Sequence, residues 1–88
     1  MNTENKIKCA CCGFFTIEKD AISTICPVCF WHKDFYQEEH IDDDGGPNSI
    51  SLREAKVNFK SFGAKERRVL DFVRPPKEDE IGDNIDLV

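Results

Sequence analysis

With 88 residues, 40 % of them hydrophobic, the chain has material for one small domain. Its net charge of −5 speaks against a general nucleic-acid binder, and no run approaches the roughly 20 apolar residues that cross a bilayer. A core this small is marginal and is commonly stapled by metal or disulfides.

Residues 1–8 are polar and are expected to fray. They contain no apolar stretch of the kind that marks a secretory signal. The cysteine count is five, an odd number. Both features favour reduced thiols in the cytoplasm, and therefore metal over disulfides.

Four of the five cysteines form two pairs, Cys9/Cys12 and Cys26/Cys29, in the spacing C-x2-C-x13-C-x2-C. A Cys-x-x-Cys turn presents two thiolates on one side of a tight loop, and two such loops can supply the four sulfurs of a tetrahedral zinc site. Gly13 stands where the first turn must bend sharply, and Pro27 stiffens the second. Cys9, Cys12, Cys26 and Cys29 are thus the candidate metal ligands. Cys11 is surplus, because adjacent residues cannot easily aim both sulfurs at one ion. It is read as a small buried side chain or a donor behind the ligands.

Between the pairs, Phe14–Ile17 and Ile22–Ile25 read as two short strands joined by the polar turn Glu18-Lys19-Asp20. The expectation is a zinc-ribbon-like β-hairpin carrying two cysteine knuckles, a metal module over about residues 7–33. Phe30 and Trp31 follow the last ligand and are read as a hydrophobic lid over the sulfurs. His32 and His40 are read as surface residues, since four cysteines already close the coordination sphere.

Residues 34–48 are expected to be irregular. Six acids lie in 34–44 (Asp34, Glu38, Glu39, Asp42, Asp43, Asp44) with no Lys or Arg. The run resembles a calcium loop only superficially, because His40 and Ser51 stand where an EF-hand would need ligands. It is read as a solvated face or a docking surface for a basic partner.

Ser51-Leu52-Arg53-Glu54 is a capping box, and Leu52, Ala55, Phe59 and Phe62 form one apolar stripe of the helix it opens. Gly63 ends that helix. A second, shorter helix is expected over about Lys65–Val73, stopped by Pro75-Pro76. The basic run Arg53, Lys56, Lys60, Lys65, Arg67, Arg68 raises nucleic acid as an alternative partner, although acids on both sides would repel phosphate. Residues 77–88 are expected to be a flexible acidic tail. The organisation is one domain over 1–76, with helices within about 51–74: a small α+β fold.

Taken in order, Cys9-Ala10-Cys11-Cys12-Gly13, Ile25-Cys26-Pro27-Val28-Cys29-Phe30-Trp31, Gly45-Gly46-Pro47-Asn48, Ser51-Leu52-Arg53-Glu54-Ala55, Asn58-Phe59, Phe62-Gly63-Ala64 and Val73-Arg74-Pro75-Pro76 resemble the small bacterial cysteine-rich CPCC proteins. Ala10 departs from that pattern where its proline would stand, and Lys33 departs where acids often follow the Trp. The resemblance implies a zinc-ribbon-like module with a helical extension and implies no activity.

No Ser-His-Asp set, activated Cys-His couple or paired buried carboxylates can be assembled, so an enzyme is not expected. The expectation is a structural Zn2+ site in a non-catalytic protein that binds another protein, with an immunity- or antitoxin-type inhibitor as one form. A nucleic-acid-binding zinc ribbon and a rubredoxin-like electron carrier with iron held by four cysteines stay open, since sulfur softness does not separate iron from zinc.

Overall fold

Strands β1 (Lys6–Lys8) and β2 (Phe15–Glu18) pair antiparallel around the first cysteine turn. The structure, a computed structural model, describes residues 6–81; the first five and last seven residues lie outside it. Fraying was expected over 1–8, and Lys6–Lys8 instead form this edge of the hairpin.

A hairpin followed by helices is the expected small α+β plan, but its strands are differently placed. Ile22–Ile25 do not pair with Phe14–Ile17. Each knuckle has its own pairing instead: β1 with β2 around the first, and an isolated antiparallel bridge, Ile25 with His32, around the second. The reason is local. The turn bonds inside each knuckle already bring its two flanks into antiparallel register, whereas the apolar alternation of Ile22 and Ile25 is not buried; these residues are 77 % and 44 % exposed.

The β1–β2 register slips by one residue. Ile7 faces Ile17 and Lys8 faces Phe15, leaving Thr16 as a β-bulge. A regular strand would send Thr16 and Ile17 to opposite faces. With the bulge, both are buried.

Helix α1 (Phe35–Glu39) occupies part of the segment expected to be irregular. The Asp34 side chain caps it by accepting from the Gln37 N–H at 3.0 Å. Asp-x-x-Gln is a capping pattern legible in the sequence, overlooked there beneath the run of acids.

Helix α2 (Leu52–Phe62) starts and stops as expected. The Ser51 hydroxyl accepts from the Glu54 N–H, and Gly63 closes the helix with φ 89°. Leu52 and Ala55 are buried in the core, while Phe59 and Phe62 are half-buried. Phe59 packs against the core beside Phe14, and both rings line a shallow groove with Val28, Leu70, Val73 and Pro76, with Phe62 at the end of the stripe.

The expected second helix is a 3-10 segment, Arg67–Phe72, entered without a side-chain cap. It buries Val69 and leaves Leu70 39 % exposed. With one buried residue and a proline pair close behind, there is little to stabilise a longer α-helix. Beyond Pro76, a short helix α3 (Glu78–Ile81) packs against β2. Its Glu80 is buried and accepts from both Arg74 nitrogens, at 2.9 and 2.8 Å. The acidic tail expected to be flexible from residue 77 therefore begins as ordered structure, and 82–88 fall outside the described residues.

The core is built around the knuckles. Cys9, Cys11, Cys26, Val28, Cys29 and Trp31 are buried with Ile17, Leu52 and Ala55.

Candidate metal centre

The two knuckles are closed by equivalent bonds. In the first, Gly13 N–H donates to Cys9 O at 2.9 Å and Cys9 N–H to Phe14 O at 2.9 Å. In the second, Phe30 N–H donates to Cys26 O at 2.8 Å and Cys26 N–H to Trp31 O at 2.9 Å. Superposed residue for residue, Ala10 stands at the place of Pro27, Cys11 at that of Val28 and Gly13 at that of Phe30. The turn thus closes around Ala10 without the proline.

This packing brings together the four expected ligands. The sulfurs of Cys9, Cys12, Cys26 and Cys29 lie within 4.8 Å of one another. Cys9 Sγ and Cys29 Sγ are 3.6 Å apart, and Cys12 Sγ and Cys26 Sγ 3.7 Å. A tetrahedral ion with metal–sulfur bonds of about 2.3 Å requires sulfur–sulfur edges of about 3.8 Å. These distances are far longer than the S–S bond of about 2.05 Å in a disulfide, and all the cysteines are free. The donor set and its spacing therefore fit a metal ion. Each ligand pair across the centre draws one sulfur from each knuckle, so an ion would tie the knuckles together.

The surroundings of the sulfurs suit a charged centre. Val28 N–H donates to Cys26 Sγ at 3.3 Å and Trp31 N–H to Cys29 Sγ at 3.4 Å. Thr16, turned inward by the bulge, places its hydroxyl 3.0 Å from Cys26 Sγ. Cys26 ionises more readily than Cys12 or Cys29. The Cys12 thiol, then those of Cys29 and Cys9, hydrogen-bond toward it and hold it well below the usual thiol range, despite burial. Cys12 is driven upward, chiefly by its bond to Cys26, and Cys29 upward by its contacts with Cys11, Cys12, Cys26 and Cys9. One thiolate is stabilised at the expense of its neighbours. Four thiolates this close require a cation between them.

Trp31 is fully buried behind the second knuckle, as the lid reading expected, and its indole N–H donates to Glu38 Oε2 at 3.0 Å. Phe30 is only half-buried and leans on Phe72, with ring centroids 5.6 Å apart. Neither histidine joins the sulfur cluster. His32 Nε2 is hydrogen-bonded to the Ser23 hydroxyl at 2.6 Å, and the exposed His40 stacks on Tyr36.

Sequence reading missed a buried polar network behind this site. Gln37 and Asn48 are both fully buried. The Gln37 amide donates to the carbonyls of Asp43, Asn48 and Ile50, while its oxygen accepts from Asn48 N and Nδ2. Asn48 reaches the backbone of His32 at both ends, accepting from its N–H and donating to its C=O, each at 2.8 Å. Lys65, counted in the sequence with the surface basic run, is buried and donates to Asn48 Oδ1 at 2.9 Å. Burial lowers the affinity of its amine for a proton, opposed by the charge of Glu66 and by the Cys29 and Cys11 sulfurs. Gly45-Gly46-Pro47-Asn48 therefore serves to dock the acidic loop onto the metal module. These contacts span 6 to 17 residues and leave no periodic mark on the sequence.

The charged faces are also partly consumed internally. Asp42 pairs with Arg53, Glu66 with Arg68, and Asp43 accepts from the Tyr36 hydroxyl. No helix among the described residues is long and apolar enough to cross a membrane.

The model of the family described as Cysteine-rich CPCC matches residues 7–80. The chain belongs to the cysteine-rich CPCC family. No curated protein matches it. The matched span takes in both knuckles, the Gly45–Asn48 turn, helix α2 and all but the last residue of α3. The chain's departure at Ala10 leaves the knuckle geometry intact.

Proposed function

We propose that this CPCC-family chain is a small cytoplasmic zinc protein whose four-cysteine centre is structural and whose work is done by binding another protein. The closed set of four sulfurs within 4.8 Å of one another supports this reading. Four protein ligands fill a tetrahedral sphere and leave no position for substrate or activating water. Zinc suits such a site, because it takes tetrahedral thiolates without redox chemistry.

The docking surface is α1 and the acidic loop after it. Phe35, Tyr36 and Ile41 are exposed there at 62 %, 48 % and 39 %, among the exposed acids Glu39, Asp42 and Asp44. Lys33 lies over the Phe35 ring and Arg53 pairs with Asp42, yet acids outnumber bases around these aromatics, which fits a protein partner with a basic surface. An immunity- or antitoxin-type inhibitor of a basic enzyme is one partner relationship of this kind.

Elemental analysis of the purified chain is expected to find one zinc per molecule; iron with the colour of a ferric tetrathiolate would replace this reading with electron transfer. Chelation is expected to shift the emission of Trp31, the single tryptophan, to longer wavelength as the core around the sulfurs opens. An unchanged emission after complete metal removal would refute a structural role. For the surface, pull-downs with wild type and with Phe35→Ala/Tyr36→Ala are compared. A partner lost by the double variant supports docking through α1, and equal retention by both places the partner elsewhere.

A further inference from the structure

Lys65 is a buried lysine in no described ion pair, and the Glu66 carboxylate, whose charge favours its ammonium, is itself paired with Arg68 at 3.0 Å. Lys65 is 5 % exposed, and no carboxylate among the described residues lies within 4.0 Å of its Nζ. Among the described residues, the one hydrogen-bond acceptor of its Nζ is the neutral amide oxygen of Asn48. An ammonium withdrawn from water without a counter-charge is costly. The nearby candidates are few. Phe30 offers the face of its ring, 5.8 Å from Nζ. The other is the sulfur centre: the Lys65 N–H donates to the carbonyl of Cys29 at 2.9 Å, which fastens Lys65 to the second knuckle. Four thiolates around a dication carry a net charge of −2, a large uncompensated charge in a small core.

Other cations near this knuckle are already occupied. Arg74 binds Pro27 O through its backbone N–H, but its guanidinium is held bidentately by Glu80. Lys33 faces Glu38 at 4.0 Å. Lys65 alone brings a buried positive charge with no described carboxylate within 4.0 Å of it.

We propose that Lys65 is the internal counter-ion of the metal–thiolate centre. It is a positioning residue that touches no metal and acts through the charge it places beside the sulfurs. The loop after Gly63 and the Asn48 amide hold it there, which couples the helical extension to metal retention. Its removal leaves the centre two charges negative in a poorly solvated site, so the metal is held less tightly.

This rests on the four cysteines holding a dication, which the metal content of the wild-type chain checks independently. The test compares Lys65→Met, which keeps the apolar stem, Lys65→Gln, which keeps a donor for Asn48, and Lys65→Arg, which keeps the charge. Exposed Lys56→Met is the control. Zinc affinity is measured by competition with a chromophoric chelator. The sulfur-to-metal charge-transfer band is recorded on the cobalt-loaded proteins. Both neutral variants are expected to lose about tenfold in affinity, the lower end for residues supporting metal ligands, and to shift the band to lower energy as the thiolates become stronger donors. Lys65→Arg and the control are expected to stay near wild type.

Wild-type affinity and an unshifted band in Lys65→Met would overturn the proposal. So would recovery in Lys65→Gln, which would assign Lys65 to hydrogen bonding with Asn48. Failure of all three variants to fold in excess zinc would make the residue a packing element and refute it equally. If the neutral variants fail to fold and Lys65→Arg succeeds, charge is the required property.

Discussion

Phe30 holds in the second knuckle the left-handed backbone position that Gly13 holds in the first, with φ 73° against 83°. Glycine adopts this region freely, whereas a residue with a Cβ is strained there by about 1–2 kcal/mol. The Phe30 ring offsets part of that cost through Phe72 and Lys65. Phe30→Gly and Phe30→Ala both remove the ring, but only the alanine keeps the strain. The glycine variant is expected to be more stable than the alanine variant by about 1 kcal/mol in denaturant unfolding of the metal-loaded chain, the reverse of the usual order. At Gly13 a Cβ would meet nothing within 4 Å, so Gly13→Ala measures the backbone cost alone. An alanine at either position as stable as glycine would contradict this geometry.

Cys11 occupies the place of Val28, and both are buried in the core. The equivalence assigns Cys11 to packing, beside the ligands and not among them. Cys11→Val is expected to keep its full metal content and, because valine is the larger side chain, to cost about 1–3 kcal/mol as overpacking does. Cys12→Val, which deletes a ligand, is expected to lose the metal. Metal analysis after gel filtration separates the two, and loss of metal from Cys11→Val would mark it as a ligand.

Gly46 lies flush against the buried Gln37 amide. A Cβ there would come within 2.6 Å of Gln37 Oε1 and 2.7 Å of Cδ. That amide is locked by its bonds to Asp43, Asn48 and Ile50 and cannot swing aside. Gly46→Ala is expected to cost about 1–3 kcal/mol, the range of overpacking. Gly45→Ala meets only the tip of the Asp43 carboxylate, at 3.0 Å, which needs to give by a few tenths of an ångström on its bonds to the Gly45 N–H and the Tyr36 hydroxyl. It is expected to change stability by less than about 0.5 kcal/mol. Thermal melts of the two metal-loaded variants check the contrast, and equal losses would refute it.

Glu80 ties α3 to the extended chain that follows the 3-10 segment. The Arg74 guanidinium, helped by the Lys77 N–H, holds its carboxyl below the usual glutamate range against the opposing effect of burial. A depressed folded-state pKa contributes stability that is present above the unfolded value, about 4.3, and is lost as pH falls through the folded value. Glu80→Gln is therefore expected to cost about 1–2 kcal/mol at pH 7, and the gap to wild type is expected to shrink once pH drops below about 4. Denaturant unfolding across the acid range up to neutrality measures it. A gap that stays constant into acid would show that the carboxylate charge is not the stabilising element.

The ligands and helix α2 were legible because their signals are local. Two Cys-x-x-Cys turns need only four residues each, and Ser51 with Glu54 and Gly63 mark both ends of α2 within its own length. The hairpin was not legible in the same way. Strands of three and four residues are too short to show a period, and the alternation around Ile22 and Ile25 pointed to the wrong pairing. The bulge that turns Thr16 toward Cys26 Sγ has no sequence mark at all. Lys65 looked like one member of a surface basic run because nothing adjacent to it says that Asn48, 17 residues earlier, draws it inside.

By itself the sequence determined that four cysteines could share one ion and that a capped helix follows them, because both depend on residues a few positions apart. Only the tertiary structure decided which strands bracket the knuckles, that Cys11 packs where Val28 does, and that Gln37, Asn48 and Lys65 form a buried network behind the sulfurs. Those features arise from burial and from hydrogen bonds between distant side chains and backbone, whose free energy exists only once the chain has closed around them.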